Sequence, residues 1–228
     1  MIKIFSDGAN LKDMLEIYYK VDGYTTNPTL MKKAGITDYH TFAKEVLEWI
    51  KDKPISFEVF FDDLFEMENQ ARLIASWADN IYIKIPITNT KGISTESVIQ
   101  RLSKSGIKVN VTAILTVEQG ITAIRALSHA KTPGIVSVFA GRIADTGRNP
   151  ENVIKLILNI MSTKPHIELL WASTRELYNI KQAEKCGCHI ITVTPEILKK
   201  LSMLDKDLNE LSLETVQMFY NDARGFTL

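Results

Sequence analysis

The chain has 228 residues, 45% of them hydrophobic and 24% charged, and its formal net charge is zero. That length and apolar fraction suit one domain with a sizeable core over residues 1–228, and a balanced charge gives no field for nucleic acid or an anionic membrane. The segment Met1–Asn10 lacks a basic stretch leading into a long apolar run, so no signal peptide is expected, and no apolar run reaches the roughly 18 residues of a membrane span. The expected compartment is the cytoplasm. Cys186 and Cys188 are the only cysteines; one C-x-C pair is no disulfide framework and lacks the second ligand pair of a zinc site.

Short apolar runs alternate with helix-period segments along the whole chain. Strands are expected at Ile2–Ser6, Gly23–Thr26, Ile55–Phe60, Ile81–Ile85, Lys108–Thr112, Ile135–Phe139, Glu168–Trp171 and Ile190–Val193. The segments between them read as helices. Leu64, Met67, Ala71, Ile74 and Ala78 recur at helical spacing, as do Val153, Leu156, Ile157 and Ile160. Gly106, Gly134 and Gly187 precede strands, where a helix ends and the chain turns back. Eight such units of roughly 28 residues have the rhythm of an α/β fold of the (β/α)8 TIM-barrel type. A doubly wound open sheet is the main alternative, but no G-x-G-x-x-G follows the first strand. From about Asp205 to Leu228 the chain reads as an additional C-terminal helical segment with no strand to follow.

Barrel strands are buried on both faces and should be almost wholly apolar, so polar residues at their C-terminal ends, the active-site face of barrel enzymes, need a reason. These ends carry Asp7, Thr25 with Asn27, Glu58, Lys84, Asn110 with Thr112, Ser137, and Ser173 with Arg175, so seven of eight strands deliver a polar group. Lys84 stands out. In Ile81-Tyr82-Ile83-Lys84-Ile85-Pro86-Ile87, alternation sends the four isoleucines to one side and Tyr82, Lys84 and Pro86 to the other. The isoleucine face should meet the helices, leaving Lys84 inside the barrel. Desolvation favours the neutral amine, the form that attacks a ketone. A structural lysine paired with a buried carboxylate is the alternative. Asp7 and Glu58 are the nearby carboxylates, suited to proton transfer and equally to a salt bridge with Lys84.

Arg142, after the sixth strand, and Arg175, after the seventh, suggest an anion site together with Ser173 and free N–H groups at a helix start. Asp62-Asp63 reads as a helix-start cap, and Trp49, Trp77 and Trp171 as packing residues. Cys186-Gly187-Cys188-His189 reads as core cysteines around a turn glycine, and no metal site is expected.

At this point the chain resembles the transaldolase family, in particular its short-chain branch, which includes fructose-6-phosphate aldolases. The resemblance rests on Asp7-Gly8-Ala9-Asn10, Thr25-Thr26-Asn27-Pro28-Thr29-Leu30, Ile83-Lys84-Ile85-Pro86, Val109-Asn110-Val111-Thr112, Ser137-Val138-Phe139-Ala140-Gly141-Arg142 and Ala172-Ser173-Thr174-Arg175, in family order over nearly the whole chain. It implies that Lys84 forms a Schiff base with a ketose donor and that Asp7 handles the donor hydroxyl proton. It further implies that Glu58 and Thr112 hold the catalytic water and that Asn27 and Asn110 bind donor hydroxyls. Thr25, Ser137 and Phe139 would line the pocket, with Arg142, Ser173 and Arg175 on the phosphate. The implied reaction moves a dihydroxyacetone unit from fructose 6-phosphate or sedoheptulose 7-phosphate to an aldose phosphate, without metal or organic cofactor. A homo-oligomer is also implied, a pentamer or decamer, with the C-terminal helix reaching a neighbour.

Within the branch, transaldolases have Glu and Phe where this chain has Glu58 and Phe139, whereas the aldolases resemble them but carry Gln and Tyr. Both positions favour transaldolase over an aldolase that releases free dihydroxyacetone; a catalytically silent sugar-phosphate-binding barrel is the reading from another class. The departures are Gly8 where Thr is usual, Thr29 in place of Ser, and a loosely matched Ala144-Asp145-Thr146-Gly147. They bear on the donor and acceptor: a sulfonate, for example, would use the same arginines as a phosphate.

Overall fold

A computed structural model describes residues 2–226. Eight parallel strands close in chain order into a barrel: β1 (Lys3–Asp7), β2 (Gly23–Thr25), β3 (Ile55–Glu58), β4 (Ile81–Pro86), β5 (Val109–Ile114), β6 (Gly134–Val138), β7 (Ile167–Trp171) and β8 (Ile190–Val193). After β1 comes α1 (Leu11–Glu16), and after β2 come α2 (Pro28–Lys33) and α3 (Tyr39–Trp49). The next three connections carry α4 (Leu64–Ala75), α5 (Glu96–Lys104) and α6 (Val117–Leu127). Helices α7 (Ala140–Ala144) and α8 (Pro150–Met161) follow β6, and α9 (Tyr178–Cys186) follows β7. Beyond β8 lie α10 (Pro195–Leu198) and α11 (Leu208–Asp222). This is the expected (β/α)8 barrel with its extra C-terminal helix; Thr227 and Leu228, the end of the expected segment, lie outside the described residues.

Two apolar layers hold the barrel. Between strands and helices, Ile81, Ile83, Ile85 and Ile87 join Val109, Val111, Val136 and Val138 in a continuous core with the inward faces of the helices. Burying each such side chain contributes about 1.5–3 kcal/mol. Inside the barrel, Phe5, Ile135, Leu170 and Ile190 pack with Tyr82 and Phe139. Gly23 is required here, because a Cβ on it would lie 2.7 Å from the Phe5 ring. The barrel is therefore plugged below by side chains and open above, which confines chemistry to the C-terminal rim.

Most helix starts follow local capping chemistry. Asp63 caps α4 through Phe65 N and Glu66 N, as expected, while Asp62 instead accepts from Thr90 across the rim. Thr116 and Gln119 form a reciprocal capping box on α6. Gly106 and Gly187 turn the chain with φ of 93° and 87°, but Gly134 opens β6 and packs under Leu127. Three further expectations shift. Helix α4 ends before Ala78, which sits in the following loop against the core. On α8 the buried stripe is Ile154, Ile157 and Met161, while Leu156 and Ile160 are 54% and 39% exposed; its apolar arc is wide, so the sequence left its phase open. Trp49, read as a packing residue, is 64% exposed at the end of α3.

Candidate active site

Alternation in β4 places Lys84 inside the barrel, 6% exposed, while its isoleucine neighbours face the helices. Its Nζ donates to the Thr26 carbonyl at 2.9 Å and lies 3.2 Å from Glu58 Oε2 on the adjacent strand, where Glu58 is in register with Lys84. Tyr39 donates to the Glu58 carbonyl at 3.0 Å, and its ring stacks against Phe60, so the end of β3 is clamped from above.

On the far side, Asp7 is in register with Thr25. Thr25 Oγ1 donates to Asp7 Oδ1 at 2.8 Å, and the Asn27 amide lies 3.5 Å from both carboxylate oxygens. Burial lifts the Asp7 carboxyl above its ordinary value, while the Lys84 charge and the Thr25 and Asn27 hydrogen bonds pull it down. The motif around Asn27 has a local cause. Its Oδ1 caps α2 by accepting from Leu30 N at 3.0 Å, Pro28 occupies the first helical position, and the amide nitrogen is left facing Asp7.

Asn110 lies below the rim, fully buried beside Lys84 in the β4–β5 register. Its Nδ2 donates to Ser56 Oγ at 3.0 Å, and Ser137 Oγ donates to its Oδ1 at 2.7 Å, so both ends of the amide are fixed. Thr112 is 1% exposed, and its Oγ1 has no hydrogen-bond partner among the described residues. Just beyond it, β5 slips register between Val111 and Ile114, and Ala113 adopts φ of 61°. That left-handed conformation is unfavourable for alanine and bends the strand end at the rim.

A cavity of about 440 Å³ opens above these groups. Its lining includes Asp7, Thr25, Asn27, Glu58 and Lys84 from the first four strands, and Ser137, Phe139, Arg142, Ser173 and Arg175 from the ends of β6 and β7. Ten of the twelve expected site residues thus share one cavity, while Asn110 and Thr112 are buried outside its lining. The Arg142 guanidinium carbon sits 5.7 Å from the Phe139 ring centre. Arg175 Nε is 3.2 Å from Asp145 Oδ1, and this ion pair, with Arg142 nearby, holds the Asp145 carboxyl below the usual carboxylate range.

The strand-end survey missed Ser56, Thr192 and Thr194. Thr192 and Thr194 line the cavity from β8 and just beyond it, so all eight strands contribute polar groups. Period-two alternation was the available signal: Ser56 lies two residues before Glu58, and Thr192 two after Ile190.

The sequence model of the family described as "Transaldolase/Fructose-6-phosphate aldolase" matches residues 4–227. The chain belongs to this family. A "Probable transaldolase" of Streptococcus pyogenes is 36% identical over 228 residues, covering 99% of each chain. Another, of Streptococcus equi subsp. zooepidemicus, is 37% identical over 204 residues, covering 88% of this chain and 90% of that one. Solved structures similar in fold include KGPDC from Streptococcus mutans, with a TM-score of 0.60 at 12% identity over 87% of this chain and 90% of that one. 3-Hexulose-6-phosphate synthase from Salmonella typhimurium gives 0.57 at 16% identity, over 85% and 89%. At such identities these two show the barrel alone. From the family motifs, Asp7, Asn27, Lys84, Ser137, Arg142 and Arg175 line one cavity. No helix of the described residues is long and apolar enough to cross a membrane. Among the same residues, no cluster of three or more His, Cys, Asp or Glu side chains could hold a metal ion.

Proposed function

We propose that the protein is a transaldolase, moving a dihydroxyacetone unit from a ketose phosphate to an aldose phosphate through a Schiff base on Lys84. The observation that carries this reading is Lys84 itself: a buried amine on a cavity shared with two carboxylates and two guanidiniums. The Lys84 amine attacks the ketone of fructose 6-phosphate or sedoheptulose 7-phosphate, and the carbinolamine loses water to give an iminium. Glu58, with the Thr112 hydroxyl, holds the water that takes part in this step. Asp7 accepts the proton of the C4 hydroxyl, the C3–C4 bond breaks, and its electron pair moves into the iminium to leave an enamine on Lys84. The aldose phosphate departs. The enamine then attacks the aldehyde of the acceptor, and hydrolysis returns the free amine. The iminium is the electron sink, so the residues need no organic cofactor or metal.

Asn27 and Asn110 bind donor hydroxyls in this scheme, Thr25 and Ser137 line the pocket, and Arg142, Ser173 and Arg175 take the phosphate. Two residues favour transfer over release of free dihydroxyacetone: Glu58 keeps a carboxylate beside the amine, and Phe139 offers the cavity no proton. We also propose that the enzyme works as a homo-oligomer, a pentamer or decamer held partly by α11, in the cytoplasm.

Acceptor dependence tests the reaction. With purified protein and fructose 6-phosphate, loss of donor should require erythrose 4-phosphate. Cleavage that runs equally well without acceptor would make the protein an aldolase. No turnover across a panel of donors and acceptors would leave a silent binding barrel and overturn the reading.

A further inference from the structure

Asp7 sits on β1 between two strands that each bring a threonine to the barrel interior. On one side Thr25 of β2 places Oγ1 2.8 Å from Asp7 Oδ1. On the other, Thr192 of β8 places its own Oγ1 2.6 Å from Thr25 Oγ1. Both threonines are buried, at 2% and 4% exposure. Thr192 is held in place from behind, since Thr174 Oγ1 donates to its carbonyl at 2.6 Å.

The proton count fixes the direction of this chain. A hydroxyl has one proton to give, and an ionised carboxylate can only accept. With Asp7 ionised, the Thr25 proton points at Asp7, so the bond between the two threonines must use the Thr192 proton. The order is Thr192 to Thr25 to Asp7. Without the Thr192 hydroxyl, Thr25 is a free rotor that can turn its proton away from the carboxylate, and it also loses the polarisation its donor supplies.

We propose that Thr192 is a positioning residue that fixes Thr25 as a hydrogen-bond donor to Asp7, and so keeps Asp7 in the proton-accepting form that carbon–carbon cleavage requires. The proposal rests on the role given to Asp7 in the reaction above. The charged groups around Asp7 are few. Lys84 lines the same cavity, its charge favours the Asp7 carboxylate, and it is itself paired with Glu58. On α10, which packs against β1, the charged neighbours of Glu196 are Lys33 and Lys199. Lys3, at the other end of β1, pairs with Glu168 at 2.7 Å. Burial opposes the charge on Asp7, and the Thr25 hydrogen bond is one of the contacts that favour it. Weakening that bond therefore moves the carboxyl upward.

The test is the pH profile of kcat with fructose 6-phosphate and erythrose 4-phosphate, for the full-length protein and its Thr192→Val, Thr192→Ser and Thr25→Val variants. In Thr192→Val the acid limb should move up by about half a pH unit, the scale of one weakened hydrogen bond. The donor KM should stay within about twofold, because only the bond to Asp7 is weakened. Thr192→Ser should restore the limb. Combining Thr192→Val with Thr25→Val should shift the limb no further than Thr25→Val alone, because the effect passes through Thr25. If valine packs poorly, Thr192→Ala gives the same readout. An unmoved limb in Thr192→Val and Thr192→Ala, or additive shifts in the double variant, would overturn the relay. A raised donor KM with an unmoved limb would make Thr192 a direct donor contact and overturn it too. Asp7→Asn separates this failure from that of the underlying reading: full turnover in Asp7→Asn would overturn the role of Asp7 itself. Its inactivity alongside an unmoved Thr192→Val limb would overturn the relay alone.

Discussion

At Asp7, burial and partnership act in opposite directions. Desolvation raises its carboxyl above the ordinary 3.8, and this outweighs the Lys84 charge and the hydrogen bonds from Thr25 and Asn27. The sign has two consequences. A group whose folded pKa is raised contributes stability that is fully present below the unfolded pKa and is lost as pH rises through the folded pKa. At neutral pH the ionised carboxylate therefore destabilises the fold, and Asp7→Asn should raise Tm, by about 2–4 °C for each kcal/mol recovered. That advantage should vanish below about pH 3.8, where the native carboxyl is also protonated. The same substitution should abolish turnover. Thermal unfolding across pH, measured with activity, checks both; an Asn variant less stable at pH 7 would contradict the placement of Asp7. Lys84 is the complementary case, because its charge has a carboxylate 3.2 Å away and a carbonyl at 2.9 Å. Such pairing is expected of any buried lysine, so the pairing by itself does not mark Lys84 as a nucleophile. Its place on the wall of a cavity that Asp7 also lines is the more specific feature.

At the scale of elements, the loops after β6 and β7 are fastened to each other. Gly141 approaches β7's extension so closely that a Cβ would lie 1.7 Å from the Ser173 carbonyl oxygen, and Ser173 itself has φ of 62°. Arg175 runs past Gly141 to Asp145 on the far side. Gly141→Ala should therefore push the two loops apart, lowering stability by about 1–3 kcal/mol and raising KM for phosphorylated donors. Denaturant unfolding and donor titration check it, and an alanine variant with wild-type values would contradict the close approach. None of this contact was visible in the sequence, where Gly141 is one glycine among 11. The strands were legible because a doubly buried strand is a short apolar run, and each charged or amide residue in such a run is conspicuous. Lys84, Asp7, Glu58 and Asn110 were found that way. Thr192 and Ser56 escaped because a small hydroxyl residue sits easily in a strand, and only the closed barrel shows which face meets the cavity. The phase of α8 escaped for the opposite reason: apolar residues cover too much of its circumference to name one buried stripe.

At the scale of the whole molecule, α11 is a helix with an open apolar face. None of its side chains is buried, and Leu213, Val216, Phe219 and Tyr220 are 59%, 61%, 62% and 65% exposed. A contiguous apolar face of this kind marks an association surface. If this face holds the proposed homo-oligomer, truncation after Lys206 should give a folded monomer, read by light scattering and circular dichroism; a full-length chain that is already monomeric, or an assembly unchanged by the truncation, would contradict that role for α11. The barrel itself gathers residues from β1 to β8, distant in sequence, around one amine. The most direct measurement of that amine's role is borohydride reduction in the presence of fructose 6-phosphate, followed by peptide mass mapping. The expected result is irreversible inactivation with one reduced sugar adduct, on Lys84. An adduct on another lysine, or none while donor is being turned over, would contradict the Schiff-base mechanism.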